Sequence, residues 1–282
     1  PMKNSSSPRD VTIGNLTIGE GRDPVLIAGP CVIENRDHTI AMASMIRDIA
    51  GEESFEFIFK SSFDKANRSS IRSFRGPGLS RGLDILQEVR ERLSVPVLTD
   101  IHSIEQIAPA AGIVDVIQIP AFLCRQTDLY LEAGRYDCAV NVKKGQFMSP
   151  GSMRNVIEKA REAGITRLLL TERGTSFGYE RLVVDFSGLI EIRKMGAPII
   201  FDATHSVQLP SAGGDHTAGN REYVPGLCRA AAAVGVHGFF MEVHDCPDCA
   251  PCDGPNMITP ETLKSTLRTI RRIQQVIKDE CL

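Results

Sequence analysis

The residues best able to do chemistry stand in one run, Phe59-Lys60-Ser61-Ser62-Phe63-Asp64-Lys65-Ala66-Asn67-Arg68-Ser69-Ser70. Three cations, Lys60, Lys65 and Arg68, sit among hydroxyl and amide donors just past an apolar segment, Phe55 to Phe59. Such a group suits a phosphate or carboxylate, because hydrogen bonds involving charged partners are about twice as strong as neutral ones. Taken alone the run could equally be a solvated basic loop, since lysine and arginine are mostly exposed. Similar clusters recur after later apolar runs, and the recurrence favours a binding site.

Something must position those clusters. The apolar runs are Val25–Ala28, Phe55–Phe59, Val95–Leu98, Val114–Ile119, Ala139–Val142, Arg167–Leu170, Pro198–Phe201 and Gly238–Met241. Continuous apolar runs of this length read as strands buried on both faces, hence a parallel sheet. Between them lie helical patterns. Leu83, Leu86, Val89 and Leu93 share one face of Leu79–Leu93, and Thr259-Pro260-Glu261 opens a last helix with an N-cap and a first-turn proline. Eight such units predict an α/β protein of the (β/α)8 TIM-barrel class, and the G-x-G-x-x-G turn of an open dinucleotide-binding sheet is missing after the first run. Val11 to Ile18 reads as an N-terminal β-hairpin capping the barrel bottom. Residues 1–282 are expected to form one barrel domain, with residues 1–10 disordered or tag-derived.

In this fold the C-terminal strand ends carry the active site. All eight predicted strands end in polar residues: Cys31 with Glu34; the Lys60 cluster; Asp100 with His102; Gln118 with Phe122; Asn141, Lys143, Lys144 and Gln146; Glu172 with Arg173; Asp202 with His205; Glu242 with His244. The result is a basic cup holding a few acidic and soft groups, suited to a small substrate with more than one anionic group. Lys143 and Arg173 are expected to face solvent or ligand, so that truncating them costs little stability.

The net charge of −3 argues against a nucleic-acid or anionic-membrane partner, and no apolar run approaches the roughly 20 residues of a spanning helix. The start of the chain lacks the pattern of a signal peptide, which predicts a cytoplasmic location with reduced thiols. The eight cysteines therefore do not read as a disulfide framework. Cys246, Cys249 and Cys252, with His244, have spacing usable for a separate metal site; a reduced loop beside the active site is the preferred reading.

Together these segments resemble the 3-deoxy-D-manno-octulosonate 8-phosphate synthase family from Val25 to the end. The marks are Ala28-Gly29-Pro30-Cys31-Val32-Ile33-Glu34, the Phe59–Ser70 run, Arg75-Gly76-Pro77-Gly78-Leu79, Asn141 to Gln146, Phe177-Gly178-Tyr179, Asp202 to Gln208, and Cys252-Asp253-Gly254-Pro255. The resemblance implies condensation of phosphoenolpyruvate with D-arabinose 5-phosphate and water, a step toward lipopolysaccharide. It implies that Lys60, Ser62, Lys65, Lys143, Gln146 and Arg173 hold phosphoenolpyruvate, and that Asn67, Arg68 and Ser69 reach the sugar phosphate. Asp100, Phe122 and His205 line the reaction centre; Lys60, Asp100, His205 and Asp253 form the catalytic set.

The resemblance also implies a homotetramer and, through Cys31, the metal-requiring form of the family. One divalent ion (zinc, iron(II), manganese or cobalt) would be held by Cys31, His205, Glu242 and Asp253; a set mixing sulfur, nitrogen and oxygen suits these metals better than calcium or magnesium. The Cys252–Pro255 stretch looks more like the metal-free form, and Cys31, as a direct ligand, is given more weight. Two alternatives stand beside this reading. One is the sister synthase that uses erythrose 4-phosphate, expected to carry Lys-Pro-Arg-Thr-Ser where this chain has Lys65-Ala66-Asn67-Arg68-Ser69. The other is a non-catalytic phosphosugar-binding barrel.

Overall fold

A computed structural model describes residues 10–67, 71–177, 181–210 and 218–280. Arg68 and Ser69 of the sugar-phosphate reading, Gly178 and Tyr179 of the family marks and residues 1–9 of the expected lead-in lie outside the described residues.

Eight strands form a closed parallel barrel in which each neighbours the next in sequence. They are β1 (Val25–Gly29), β2 (Phe57–Lys60), β3 (Val97–Asp100), β4 (Val116–Ile119), β5 (Ala139–Lys143), β6 (Leu168–Glu172), β7 (Ile199–Asp202) and β8 (Gly238–Glu242). The last barrel strand closes on the first, with Gly238 beside Val25 and Glu242 beside Gly29. All eight fall within or against the predicted apolar runs, displaced by one or two residues in a consistent direction. Six of them end on a charged residue (Lys60, Asp100, Lys143, Glu172, Asp202, Glu242) that an apolar pattern leaves out. At the other end, Phe55 stays outside β2 because its N–H donates to Ala50 O, 2.8 Å away, closing off the preceding helix.

The helices ring the barrel. The two helical patterns named from the sequence are observed, α2 at Leu79–Leu93 and α8 at Pro260–Glu280, and α1 spans Arg36–Glu52. Thr259 caps α8 by accepting from Thr262 N. Leu83, Leu86 and Val89 of α2 and Leu263, Leu267 and Ile270 of α8 are buried against the outer strand faces. The remaining helices are α3 (Ile107–Ala111), α4 (Thr127–Ala133), α5 (Met153–Glu162), α6 (Phe186–Arg193) and α7 (Val224–Val234).

Inside the barrel a second apolar cluster joins Val25, Ile27, Ile58, Leu98, Val116, Leu169, Ile200 and Phe240 to Val11, Ile13, Leu16 and Ile18. Those last four are the inward residues of an antiparallel hairpin, Val11–Ile13 with Leu16–Ile18. Burying them against the strands seals the bottom of the barrel, so water and substrate must enter from the other end. Above this plug the interior turns polar, and the first polar side chains are paired with one another. Asn141 Nδ2 donates to Gln118 Oε1 (3.0 Å), and Thr171 Oγ1 donates to Asn141 Oδ1 (2.7 Å). Such pairing is what allows polar side chains to be buried at all.

Candidate active site

A cavity of about 340 Å³ opens at the C-terminal ends of the strands. Among the described candidates, Lys60, Ser62, Lys65, Asn67, Asp100, Phe122, Lys143, Gln146, Arg173, His205 and Asp253 line it. Cys31 and Glu242 lie behind its wall, each 1% exposed. Residues drawn from seven of the eight barrel strands or the loops that follow them, β2 to β8, thus reach one place.

The floor is built from β1, β2 and β8. Gly29 ends β1 so close to β2 that a Cβ there would sit 2.0 Å from Lys60 O; only glycine permits the approach. That approach lets Lys60 Nζ reach both Cys31 O and Glu242 Oε1, each at 3.1 Å. Phe240 of β8 lies under the cations, its ring centroid 3.4 Å from Lys143 Nζ and 5.7 Å from Lys60 Nζ. An aromatic face stabilises desolvated ammonium groups through its quadrupole.

Lys60 and Lys143 are each held by a carboxylate. Lys143 donates to Asp202 Oδ2, and His205 Nδ1 lies 2.7 Å from the same oxygen. Burial pushes the Lys143 ammonium down to about 8, against the pull of Asp202. Burial also acts to raise Glu242, but His205 and the three lysines outweigh it and hold the carboxyl down at about 2. Asp100 likewise ends well below the ordinary carboxylate range: burial opposes, and the hydrogen bond and charge of His102 with Lys60 and Lys65 prevail. Its oxygens take Ser62 Oγ at 2.5 Å and His102 Nε2 at 2.8 Å.

Arg173 differs from the lysines. It is buried, yet among the described residues only Nη2 has a partner, Gln208 Oε1 at 2.5 Å; Nε and Nη1 have none there. Burial lowers its pKa, against the nearby carboxylates. Buried guanidinium donors without acceptors are costly, which is the signature of a ligand-binding group. Of the two placements expected for Lys143 and Arg173, solvent or ligand, they take the second: both line the cavity and are 4% and 5% exposed, because barrel closure folds the strand ends inward. Lys144, the next residue, turns out of the cup and is tied to Met148 O and Thr175 Oγ1. Glu172 accepts from the N–H groups of Arg173 and Gly174, so it shapes the loop that presents Arg173.

The four expected metal ligands form two groups of donors joined at Asp253. His205, Glu242 and Asp253 offer atoms within 4.8 Å of one another, and so do Cys31, Cys252 and Asp253. Glu242 Oε2 is buried without a hydrogen-bond partner among the described residues, an orphaned acceptor that a cation would satisfy. A thiol, an imidazole and two carboxylates fit a borderline-soft divalent ion.

The cysteine loop departs from expectation. Cys246 and Cys249 are joined as a disulfide, so the predicted fully reduced loop is corrected; the two residues lie three apart in a turn that brings their Cα atoms to 5.3 Å. Among the described residues the other cysteines are free thiols. Strand-end reading named Asp202, His102 and Gln118 without assigning them a role in the site. Gln208 entered only as part of a family mark, and Cys252 as part of another and of the Cys246–Cys252 cluster weighed as a separate metal site. Polarity at a strand end was the available signal for the first three; nothing in the sequence signalled that Cys252 meets Cys31, 221 residues away.

The fold and the site define a class. The chain belongs to the DAHP synthetase I family, whose sequence model matches residues 3–279. Within that family it groups with proteins named 2-dehydro-3-deoxyphosphooctonate aldolase. The one from Geobacter sulfurreducens is 52% identical over 270 residues, 96% of this chain and 99% of its own length. The one from Geobacter metallireducens is 53% identical over the same span, and that from Synechococcus sp. is 54% identical over 264 residues, 94% of this chain and 93% of its own. Among the described residues no helix is long and apolar enough to cross a membrane.

Proposed function

We propose that this protein condenses phosphoenolpyruvate with D-arabinose 5-phosphate and water, giving 3-deoxy-D-manno-octulosonate 8-phosphate and inorganic phosphate. The observation that carries the reading is Arg173, buried in the cavity wall with two nitrogens unpartnered, beside Lys60, Lys65 and Lys143. Phosphoenolpyruvate brings nearly three negative charges, and the sugar brings a second phosphate into the same cup. Fixed cations in a water-poor site offset the repulsion between them.

In this reading Arg173, Lys143, Lys60, Lys65, Ser62 and Gln146 hold the phosphate and carboxylate of phosphoenolpyruvate. Buried Gln146 Oε1, also unpartnered, is available to a ligand donor. Asn67 reads the sugar from the cavity rim, with Arg68 and Ser69 following it in sequence. Asp100, held by Ser62 and His102, and His205, held by Asp202, are the groups able to hold or move a proton where the enol carbon meets the aldehyde. Holding two anions in reacting geometry is worth up to about 7–11 kcal/mol in favourable cases.

Cys31, His205, Glu242 and Asp253 would hold one divalent ion, zinc, iron(II), manganese or cobalt. When bound, it would supply Lewis-acid polarisation of an oxygen and lower the pKa of a bound water. A single barrel domain, a homotetramer and a cytoplasmic location complete the proposal by family resemblance. The erythrose 4-phosphate alternative is disfavoured by Asn67 and by the names of the relatives. A binding protein without catalysis has no use for the buried acid–base pairs.

The test is product identification. Mixing the protein with both substrates should consume one phosphoenolpyruvate per phosphate released and yield an eight-carbon sugar acid phosphate by mass. No phosphate release would contradict the proposal.

A further inference from the structure

We infer that Cys252 is a further ligand of the metal, so that two thiolates, Cys31 and Cys252, share it. The inference rests on the proposal that a divalent ion binds among Cys31, His205, Glu242 and Asp253, and it deepens that reading.

Cys252 Sγ lies 3.1 Å from Cys31 Sγ, and Cys31 Sγ lies 3.0 Å from Asp253 Oδ2. Three donors therefore face one point, and two of them are soft. The arrangement has a backbone cause. Neighbouring residues in extended chain point their side chains to opposite sides. Asp253 instead adopts a left-handed backbone, φ +51°, unusual outside glycine. That kink lets consecutive side chains, Cys252 and Asp253, both turn toward Cys31. Gln208 Nε2, 3.5 Å from Asp253 Oδ1, steadies the carboxylate from the other side.

A thiol pair at this distance has two outlets. A disulfide would draw the sulfurs to about 2.05 Å. Two sulfurs bound to one zinc at about 2.3 Å, at tetrahedral angles, stand about 3.8 Å apart. The observed spacing lies between, and Asp253 decides for the metal: a carboxylate at the same point adds a hard anionic donor that a disulfide has no use for. Cys246 and Cys249 are already paired with each other, which leaves Cys252 as the free thiol of its loop. Cys252 is partly exposed at the cavity edge, so the small opening from 3.1 Å to a shared metal falls on a surface loop rather than on the barrel. The added negative charge meets Lys60, whose Nζ is already bound to Cys31 O and Glu242. A second thiolate shifts preference toward zinc and away from manganese, which favours oxygen ligands.

Cobalt(II) alone, added to chelated protein under reductant, is the probe, and the near-ultraviolet thiolate-to-cobalt absorption is the readout. The unaltered protein should show a band that falls by about half in Cys252→Ser and by about half in Cys31→Ser, and disappears in the double variant. A second measurement needs no variant: alkylation of Cys252, followed by peptide mass spectrometry, should slow at least tenfold when cobalt is bound. A full-strength band in Cys252→Ser with its loss in Cys31→Ser alone, or an unchanged alkylation rate, overturns the inference and leaves the metal proposal standing. So does recovery of Cys31 and Cys252 joined as a disulfide from cobalt-loaded protein. Failure of the unaltered protein to take up cobalt overturns both.

Discussion

Lys60 and Glu242 meet at the floor of the cavity, Nζ to Oε1 at 3.1 Å, with side chains 2% and 1% exposed. Strands β2 and β8 are not neighbours; β1 lies between them and ends in Gly29, the residue small enough to let Lys60 pass. Removing one partner of a buried pair costs about 3–5 kcal/mol, because the other charge is stranded. Lys60→Ala should therefore lower unfolding stability by about that amount in metal-free protein. Added zinc or cobalt should recover part of the loss, since a cation beside Glu242 replaces the lost charge. Denaturant unfolding with and without metal checks this; a metal-free variant as stable as the parent would remove Lys60 from the role.

Arg173 and Lys143 should separate stability from catalysis. Among the described residues Arg173 pairs with no carboxylate, and truncating it to alanine leaves Gln208 to rearrange. Arg173→Ala should lose about 10²–10³ in turnover, the usual cost of one preorganised donor to a developing charge, while melting near the parent. Lys143→Ala should lose activity and stability together, because Asp202 is left buried beside His205. Equal melting losses in the two variants would contradict this division.

Metal removal should abolish turnover reversibly. Exhaustive chelation, verified by elemental analysis, is expected to leave inactive protein that zinc, iron(II), manganese or cobalt revives. Cys31→Ser should bind metal more weakly, and Cys31→Asn should keep some activity without metal. Full activity in metal-free protein would reduce Cys31 to a packing residue.

At the sealed end of the barrel, His237 makes stability depend on pH. Its Nδ1 accepts from Ile199 N at 2.9 Å and its Nε2 lies 3.3 Å from Glu20, so the neutral ring is the form that fits. Burial lowers its pKa from 6.5, against the opposing pull of Glu20. With the folded value depressed, the unfolded chain takes up the proton first as pH falls. The contribution is whole above about pH 6.5 and is lost as pH drops from there toward the folded value. His237→Asn, which keeps an acceptor for Ile199 N, should flatten the decline in unfolding stability between about pH 7 and 5. An identical slope in parent and variant would assign the decline to other groups.

The barrel was legible in the sequence because strands buried on both faces leave uninterrupted apolar runs, and eight of them leave few alternatives. The runs misplace strand ends where a charged residue closes the strand, as at Lys60, Asp202 and Glu242. Of the helices, the sequence reading placed α2 and α8; α3 and α4 are too short for a period to repeat. In the site, Lys60, Lys143, Arg173 and His205 stood out by type and position. Their burial did not, since it arises from closure of the whole barrel. The Arg173–Gln208 bond, the Cys246–Cys249 pairing and the meeting of Cys252 with Cys31 depend on loop conformations that no local pattern encodes.

The central claim is the choice of acceptor, and it is tested most directly by kcat/KM for phosphate release with arabinose 5-phosphate and with erythrose 4-phosphate, measured side by side. Asn67 lines the cavity, and its amide can both donate to and accept from a sugar hydroxyl, as proline cannot. Losing one such contact in a site built for it should cost at least about tenfold. The unaltered protein should favour the five-carbon sugar by well over that factor, and Asn67→Pro should erode the preference through loss on arabinose 5-phosphate. Comparable values for the two sugars in the unaltered protein would contradict the account.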